Sequence, residues 1–479
     1  MTIWNLPWLE IALVVSLIGS LWVNRFRDPF RAFLWGLVFT GAVLACTLLA
    51  WVGFVLGPPG GGIAWSAQRA LFGRELLALD QLSAPLVAMV ALLHFLTALA
   101  TGRTKMRRFS LAWSLASEAI KLATFACKDP WLLIGLLTAG IVQGYLELVN
   151  RRKPTRVYLI HMTVFLGLLV LGWAFVDPTG GRDQQTAWAT VPLLVAILIR
   201  CGTIPAHCWV TDWFEHASFG NALLFVAPLP GVYAAVRLVL PIAPDWALSS
   251  LGVWSLATAV YAAGMAVVQQ DPRRFFAYLF VSHASLVLVG LELHTTATLT
   301  GALCLWVAVA LSLGGFGLTL RALEARFGRL SLADYHGLYE HSPMLGICFL
   351  LTGLASVGFP GTLGFLATDI LIDGAVKASP YVGLGVVLAA AINGIAVVRA
   401  YFLLFTGARH ASTVSLGVGL RERFAVLTLA ALIVGGGLFP QPGVTSRYRA
   451  AEEILRHREE RNQRLAGQAG SAGPSDAAQ

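Results

Sequence analysis

Long apolar stretches alternate with short polar loops along almost the whole chain. Most stretches hold about 20 residues, the length that an α-helix needs to cross the hydrocarbon core of a bilayer. We predict fourteen spanning segments, at residues 4–24, 32–56, 83–101, 109–127, 130–149, 156–177, 186–204, 219–242, 246–268, 274–293, 296–320, 343–376, 380–405 and 423–440. The pattern therefore predicts an all-α integral membrane protein whose transmembrane domain covers residues 1–440. No cleavable signal peptide is expected, because the first stretch is long enough to be a retained helix.

The twelfth segment is too long for one plain helix. Gly358-Phe359-Pro360-Gly361 lies in its middle and should break it. The region around Pro205, Pro228 and Pro230 is expected to be interrupted in the same way. Non-helical backbone at membrane depth is tolerated only where protein buries it or where it lines a polar cavity. Such half-helix ends often mark ion paths.

Composition agrees with a membrane protein and excludes a soluble enzyme. Hydrophobic residues make up 57% of the 479 residues and charged residues only 12%, whereas about 25% is usual in soluble domains. The net charge of +9 could suggest nucleic-acid binding. The basic residues, however, lie in short runs between apolar segments, which is the pattern of membrane topology.

The positive loops predict the orientation in the cell membrane. Odd-numbered loops carry the basic clusters, such as Arg103–Arg108 and Arg151–Arg156, while even-numbered loops hold few basic residues. Because positive loops stay in the cytoplasm, the N-terminus is expected outside.

The C-terminal region conflicts with this simple count. Fourteen spans would place residues 441–479 outside, yet residues 441–466 predict a charged helix, in which Glu452, Arg456 and Glu460 follow i, i+4 spacing. Either one segment does not span, or this helix lies on the outer face or along the membrane surface. The tail at 467–479 is predicted to be disordered.

The six cysteines give no sign of a metal site. Cys201 and Cys208 flank His207, but no CxxC or HxxxH pattern completes a zinc-binding set. We expect small buried residues, and neither a metal nor a catalytic site in this chain.

Charged residues inside apolar segments are the first functional candidates, because burying them in a membrane is costly. Glu118 and Lys121 lie at i, i+3 on one helix face. They could be one station of a proton relay, since a desolvated lysine can titrate near neutral pH. They could equally be a static ion pair that fixes the helix position.

Arg200 and two histidines are further candidates. Arg200 can tune its neighbours but cannot pass a proton itself. His207 and His283 can titrate near neutrality, and each could instead be a hydrogen-bonded structural histidine. We expect His94 and His161 to be structural.

Asp369 and Asp373 follow the Gly358–Gly361 break at i, i+4 and should project from one helix face. Two carboxylates near a broken helix could bind a cation or share a proton. Asp373 could also simply lie at the outer interface of the membrane.

Four stretches, in order, resemble antiporter-like subunits, the large membrane subunits of respiratory complex I and of Mrp-type antiporters. They are Leu79–Ser83, Arg200–Arg237, Asp271–His283 and Gly358–Phe365. The resemblance implies fourteen helices with two inverted repeats of five, each having a broken helix. It also implies a chain of buried Glu, Lys and His residues that passes protons across the membrane.

This sequence departs from that relay at most positions. The family's fifth-helix Glu falls near Thr138 and Ala139, and the eleventh-helix His and Lys fall near Val309 and Leu313. The seventh-helix Lys matches Arg200, and the twelfth-helix position matches Thr368, beside Asp369. Complete proton conduction by the usual route is therefore in question.

With its reduced relay, this chain resembles the membrane subunit of the Dab-type inorganic-carbon pump. That resemblance implies a cytoplasmic, zinc-bearing, carbonic-anhydrase-like partner subunit, with CO2 hydration driven by an H+ or Na+ gradient. Two alternatives stay open: a relay-deficient scaffold that anchors a soluble enzyme, and a proton-translocating subunit of a quinone oxidoreductase or hydrogenase.

Overall fold

The fold is built from helices that follow the predicted segments closely. The computed structural model describes residues 6–57, 68, 73, 75–102, 109–178, 180–292, 295–407 and 419–471. Its first half contains α1 (Trp8–Val23), α2 (Pro29–Leu56), α3 (Ser83–Leu99), α4 (Leu111–Ala126), α5 (Pro130–Asn150), α6 (Arg156–Ala174), α7 (Ala187–Cys201), α8 (Cys208–His216), α9 (Phe219–Val226) and α10 (Pro230–Ala234), which continues as a π-helical turn over Ala235–Val239. The second half contains α11 (Asp245–Val268), α12 (Pro272–Glu292), α13 (Thr296–Phe327), α14 (Pro343–Ser356), α15 (Leu363–Ala378), α16 (Pro380–Phe405), α17 (Leu420–Leu438) and α18 (Gln441–Ser471).

Local sequence explains where several helices begin. Asp28 and Asp129 each accept hydrogen bonds from the first turn of a helix that starts with proline. Ser110 and Thr362 cap α4 and α15 in the same way. Such caps satisfy main-chain N–H groups that have no partner inside the helix.

Both predicted interruptions are confirmed. Residues 202–207 separate α7 from α8, and Gly202 has a φ of 74°. Residues 357–362 separate α14 from α15, and Gly358 and Gly361 have φ values of 85° and 83°. Residues other than glycine rarely adopt this left-handed backbone conformation, so glycine allows the sharp turn at these positions. The predicted interruption near Pro228 and Pro230 is also present, at Leu229, whose φ is 56°.

Length and composition identify fewer spanning helices than the fourteen segments predicted from the sequence. Within the described residues, eight stretches are long and apolar enough to cross a membrane: α2, α5, α6, the run Phe219–Val239, α11, α12, α13 and α16. A ninth results if α17 and the first part of α18, bent by 80°, form one broken span. Helices α1, α3, α7 and α14 are apolar but shorter. Fourteen spans and two inverted repeats stay predictions.

The core and the lipid-facing surface involve different helices. The run Phe219–Val239, α12 and α13 are almost completely buried, whereas most of α2 and α6 is not. Exposed apolar side chains cover the outer helices, including Leu21, Val253 and Leu384, each more than 60% exposed. An apolar surface of this extent is that of a protein in contact with lipid.

The C-terminal helix α18 crosses the ends of two other helices. Arg447 donates hydrogen bonds to the carbonyl oxygens of Gln81 and Leu82, just before α3. Arg458 donates to Leu240, to Ala243 and to the carboxylate of Asp245 at the start of α11. Helix α18 therefore lies on the side where α3 and α11 begin, which the charge pattern predicts to be outside. It extends past residue 466, and residues 472–479 lie outside the described part of the chain.

Candidate ion-pathway site

Glu118 and Lys121 are both buried on α4. The Glu118 carboxylate is fully buried, and neither of its oxygens has a hydrogen-bond partner among the described residues. The Lys121 ammonium donates a hydrogen bond to the hydroxyl of Ser117, one turn earlier. Lys121 is within electrostatic range of Glu118. The two charges therefore face the same interior, but the lysine is bonded to a serine rather than to the carboxylate.

Arg200 at the end of α7 adds a second buried cation. Its side chain is 6% exposed, and its guanidinium carbon lies 4.6 Å from the ring centre of Phe225 and 5.4 Å from that of Trp209. A guanidinium over aromatic faces gains cation–π attraction, most strongly where water is excluded. Arg200 is also within electrostatic range of Lys121. Glu118, Lys121 and Arg200, which we call the buried charge cluster, come together from α4 and α7.

His94 on α3 lies beside this cluster, although its sequence context indicated only a structural role. The ring is fully buried, and Nδ1 lies 2.9 Å from the carbonyl oxygen of Val90. A neutral ring that donates from Nδ1 carries a lone pair on Nε2. In the described residues Nε2 has no partner, and Lys121 is within its electrostatic range. Sequence reasoning missed His94 because it is alone in its segment and meets the cluster only through packing between helices.

His207 is placed at the first break, directly before α8. Its ring is half-buried and lies 5.6 Å from the ring of Tyr261 and 5.7 Å from that of Tyr278. His161 on α6 is within its electrostatic range. The two histidines therefore approach each other near a helix break rather than inside the buried charge cluster.

His283 is fixed at the second break. Its Nδ1 lies 2.7 Å from the carbonyl oxygen of Leu279, and its Nε2 lies 2.8 Å from that of Ser356, the last residue of α14. The ring thus ties α12 to the residue where α14 stops. A neutral imidazole has one N–H, so it can donate to only one of these two carbonyl groups at a time.

Asp369 and Asp373 share one face of α15, as the spacing predicts, but that face is exposed. Asp373 pairs with Lys377 at 2.6 Å, with both side chains more than half exposed. Helix α15 packs mainly against α13, α16 and α17, while α4 packs mainly against α1, α3 and α5. The aspartates therefore lie apart from the buried charge cluster.

The positions of the missing relay residues carry no charge in the fold. Thr138 bonds its hydroxyl back to the carbonyl of Ile134 in its own helix. Val309 and Leu313 are fully buried in α13. In the part of the chain that the structure describes, no three His, Cys, Asp or Glu side chains come together as a metal-binding group.

Comparisons with known proteins agree with this fold. A family model described as "NADH:quinone oxidoreductase/Mrp antiporter, TM" matches residues 158–393. NADH-quinone oxidoreductase subunit M of Pseudomonas aeruginosa is 26% identical, over 91% of this chain and 94% of that protein. Subunit M of Escherichia coli K12 is 24% identical, over 94% and 97%.

Two solved structures share the architecture. A chain of respiratory complex I from Thermus thermophilus superposes with a TM-score of 0.82 at 23% identity, covering 94% of this chain and 99% of that one. A chain of the Mrp complex from a Dietzia species gives 0.81 at 19% identity, covering 95% and 98%. At these identities the likeness establishes the helical arrangement.

Proposed function

Because this chain belongs to the antiporter-like family of membrane subunits, we propose that it couples the movement of H+ or Na+ to the work of a separate catalytic partner. The buried charge cluster is the observation that supports this function most directly. Two cations and one carboxylate lie inside a membrane protein without a direct hydrogen bond between them. Charges placed in this way are expensive, and membrane proteins usually retain them for transport.

The cluster offers a route that replaces the family's usual relay. The carboxylate of Glu118 is free to accept a proton or to attract a cation, because it has no hydrogen-bond partner among the described residues. Lys121 can release and regain a proton, whereas Arg200 keeps its charge and biases both neighbours. The route therefore runs through α4 and α7 rather than through Thr138 or Leu313.

We assign His207, His283, Asp369 and Asp373 supporting positions on this pathway. The two histidines lie at the helix breaks, where a change in helix geometry would be felt first. The two aspartates lie on an exposed face, from which they can act on a neighbouring chain. The complete proposed set is Glu118, Lys121, Arg200, His207, His283, Asp369 and Asp373.

For the partner, we propose a zinc-bearing, carbonic-anhydrase-like cytoplasmic subunit, with inorganic-carbon uptake as the work performed. The reduced relay supports this branch. Zinc would belong to the partner, and this chain would supply the energy coupling in the cell membrane with its N-terminus outside. Cytoplasmic loops would carry the contact; Arg151–Arg156 is described, and Arg103–Arg108 lies outside the described residues.

Two other functions are each supported by a specific observation. A scaffold without ion movement is supported by the apolar residues at two positions of the family's relay, Val309 and Leu313. A place in a quinone oxidoreductase is supported by the relatives from Pseudomonas and Escherichia, which carry that name.

Purification of the native complex separates these possibilities. The tagged chain would be extracted from its own membrane in mild detergent, its partners identified by mass spectrometry, and the complex assayed for zinc and iron. A stoichiometric zinc protein is expected. Co-purifying iron–sulfur proteins would instead identify the chain as a subunit of a respiratory complex. A chain that purifies alone would contradict the proposed partnership.

A further inference from the structure

A cavity opens between the start of α4 and the end of α5. It is an open cavity of about 310 Å3, counting the space that faces solvent, and α8 and α9 complete its wall. Half of the lining residues are polar, namely Ser114, Ser117, Gln143, Glu147 and Asn221, and the other half are apolar residues and one glycine. The room inside is enough for about one water molecule, and the polar groups of the wall offer it hydrogen-bond partners. We call this space the vestibule.

The charge pattern places the vestibule on the cytoplasmic side. Helix α4 begins directly after the basic loop at residues 103–108, and α5 ends directly before the one at 151–156. Positive loops remain in the cytoplasm. Glu147, near the end of α5, lies in the wall with 13% of its side chain exposed, and its carboxylate is 3.9 Å from Arg151.

The inner wall of the vestibule touches both buried cations. Ser117 lines the cavity, and its hydroxyl accepts the hydrogen bond of the Lys121 ammonium. Phe225 also lines the cavity, and its ring lies over the Arg200 guanidinium. Each cation is therefore one side chain away from the vestibule.

We propose that the vestibule is the proton inlet from the cytoplasm to Lys121, and that Ser117 is the last relay group. This proposal rests on the proposed function and deepens it by naming the ion. A protonated water in the vestibule gives one proton to the Ser117 oxygen, while the hydroxyl proton of Ser117 passes to the neutral Lys121 amine. One proton moves, the hydroxyl is regenerated and Lys121 becomes an ammonium.

The same arrangement opposes a metal cation. A sodium ion in the vestibule would approach the positive charge of Arg200, and that of Lys121 when protonated, while the carboxylate of the wall, Glu147, lies at the loop end beside Arg151. Like charges at short range in a dry interior repel strongly. A proton avoids this obstacle because its charge ends on Lys121 itself. The geometry therefore favours H+ as the coupling ion.

Thiol labelling tests the inlet without requiring transport activity. Ser117→Cys would be exposed to a membrane-impermeant methanethiosulfonate, applied separately to inside-out and right-side-out vesicles of the whole complex, and labelled peptides would be read by mass spectrometry. Ala116→Cys is the matched control, since Ala116 is also part-exposed but is rotated about 100° away on the helix and does not line the vestibule.

We expect Ser117→Cys to be labelled from the cytoplasmic side at least about tenfold faster than Ala116→Cys, and to be protected from the outer side. Equal labelling of the two cysteines, or labelling of position 117 from outside, would overturn the inlet. Peptide-level readout separates both from the native cysteines, of which Cys208 is exposed.

Proton flux then tests the relay group itself. In inside-out vesicles, Ser117→Ala should slow proton flux at least about tenfold, as expected when a proton-transfer group is removed. Ser117→Thr keeps the hydroxyl and should restore it. Wild-type flux in Ser117→Ala would remove Ser117 from the path. A failure of the proposed function can be told apart from a failure of the inlet. If proton flux survives Glu118→Gln, the buried charge cluster does not carry protons, whatever the labelling of Ser117→Cys shows.

Discussion

Arg447 on the C-terminal helix and Leu82 at the start of α3 are joined across 365 residues of chain. The Arg447 guanidinium donates to the Leu82 carbonyl oxygen at 3.1 Å and also to the carbonyl of the preceding residue, Gln81. The guanidinium is buried and donates to two main-chain carbonyl groups, and that of Gln81 has no helical N–H to accept from because the residue four positions on is Pro85. This contact fixes α18 against the transmembrane domain.

Replacing Arg447 by alanine should therefore destabilise the protein. The substitution removes two charge-assisted hydrogen bonds and leaves the Gln81 carbonyl without its donor, a loss of roughly 2–4 kcal/mol in unfolding free energy. The midpoint of thermal unfolding in detergent measures the effect. Arg449→Ala is the control, because Arg449 is exposed on the same helix. Equal midpoints for the two variants would show that the Arg447 contact does not hold the helix.

Glu118→Gln should abolish ion movement and leave assembly intact. Glutamine keeps the shape of the side chain but cannot take up a proton or carry charge beside Lys121. Ion-dependent pH change in inside-out vesicles measures movement, and co-purification of the partner measures assembly. Glu452→Gln serves as control, since Glu452 is exposed on α18 and is not part of the proposed pathway. Loss of assembly together with movement would instead favour a static, structural Glu118.

The helix breaks and the buried charges could be predicted from sequence because their signals are local. Clusters of glycine and proline favour a helix break, and the observed interruptions lie at Gly202–Pro205 and Gly358–Gly361. Glu118 and Lys121 stand out as charges within an apolar segment. None of these inferences needs knowledge of which helices are neighbours.

Contacts between distant helices could not be predicted in the same way. Nothing near His94 in the sequence indicates that Lys121 lies beside it, and nothing near Arg458 indicates that Asp245 receives its hydrogen bond. Fourteen segments can pack in many arrangements, and each arrangement gives different partners to a lone polar residue.

The sequence of α15 contains a pattern that indicates the exposure of Asp369. Gly364, Ala367 and Gly374 follow helical spacing on the opposite face of α15, and all three are buried. The backbone of α13 approaches closely there, since a side chain added at Gly374 would meet Thr298. Small residues mark the packed face of a membrane helix. The face with Asp369 is therefore the one turned outward.

Asp369→Asn tests whether this outward carboxylate acts on a partner chain. A charge on a lipid-facing surface is costly, so we expect Asp369 to meet another subunit in the assembled complex. The variant should lower the ion-coupled activity of the complex and leave thermal stability of the isolated chain unchanged. If the complex keeps wild-type activity, Asp369 has no place in the pathway. Asp373→Asn, whose wild-type carboxylate is already paired with Lys377, should lower the activity less and also leave thermal stability unchanged.

His283 offers the last test, because it connects α12 to the end of α14. His283→Ala removes the contact with the Ser356 carbonyl and leaves a cavity at the second break, so we expect a loss of roughly 2–4 kcal/mol in unfolding free energy. His283→Gln can still donate to one carbonyl group and should recover part of that loss. Thermal unfolding of the purified complex measures both variants.

Ion movement in the same two variants separates a structural histidine from a proton carrier. Glutamine cannot exchange a proton near neutral pH, so a relay role predicts that His283→Gln is folded but inactive. A structural role predicts that activity follows stability, with His283→Gln retaining most of both. Because the ring already contacts two carbonyl groups on different helices, we expect the structural outcome, and an inactive but stable His283→Gln protein would contradict it.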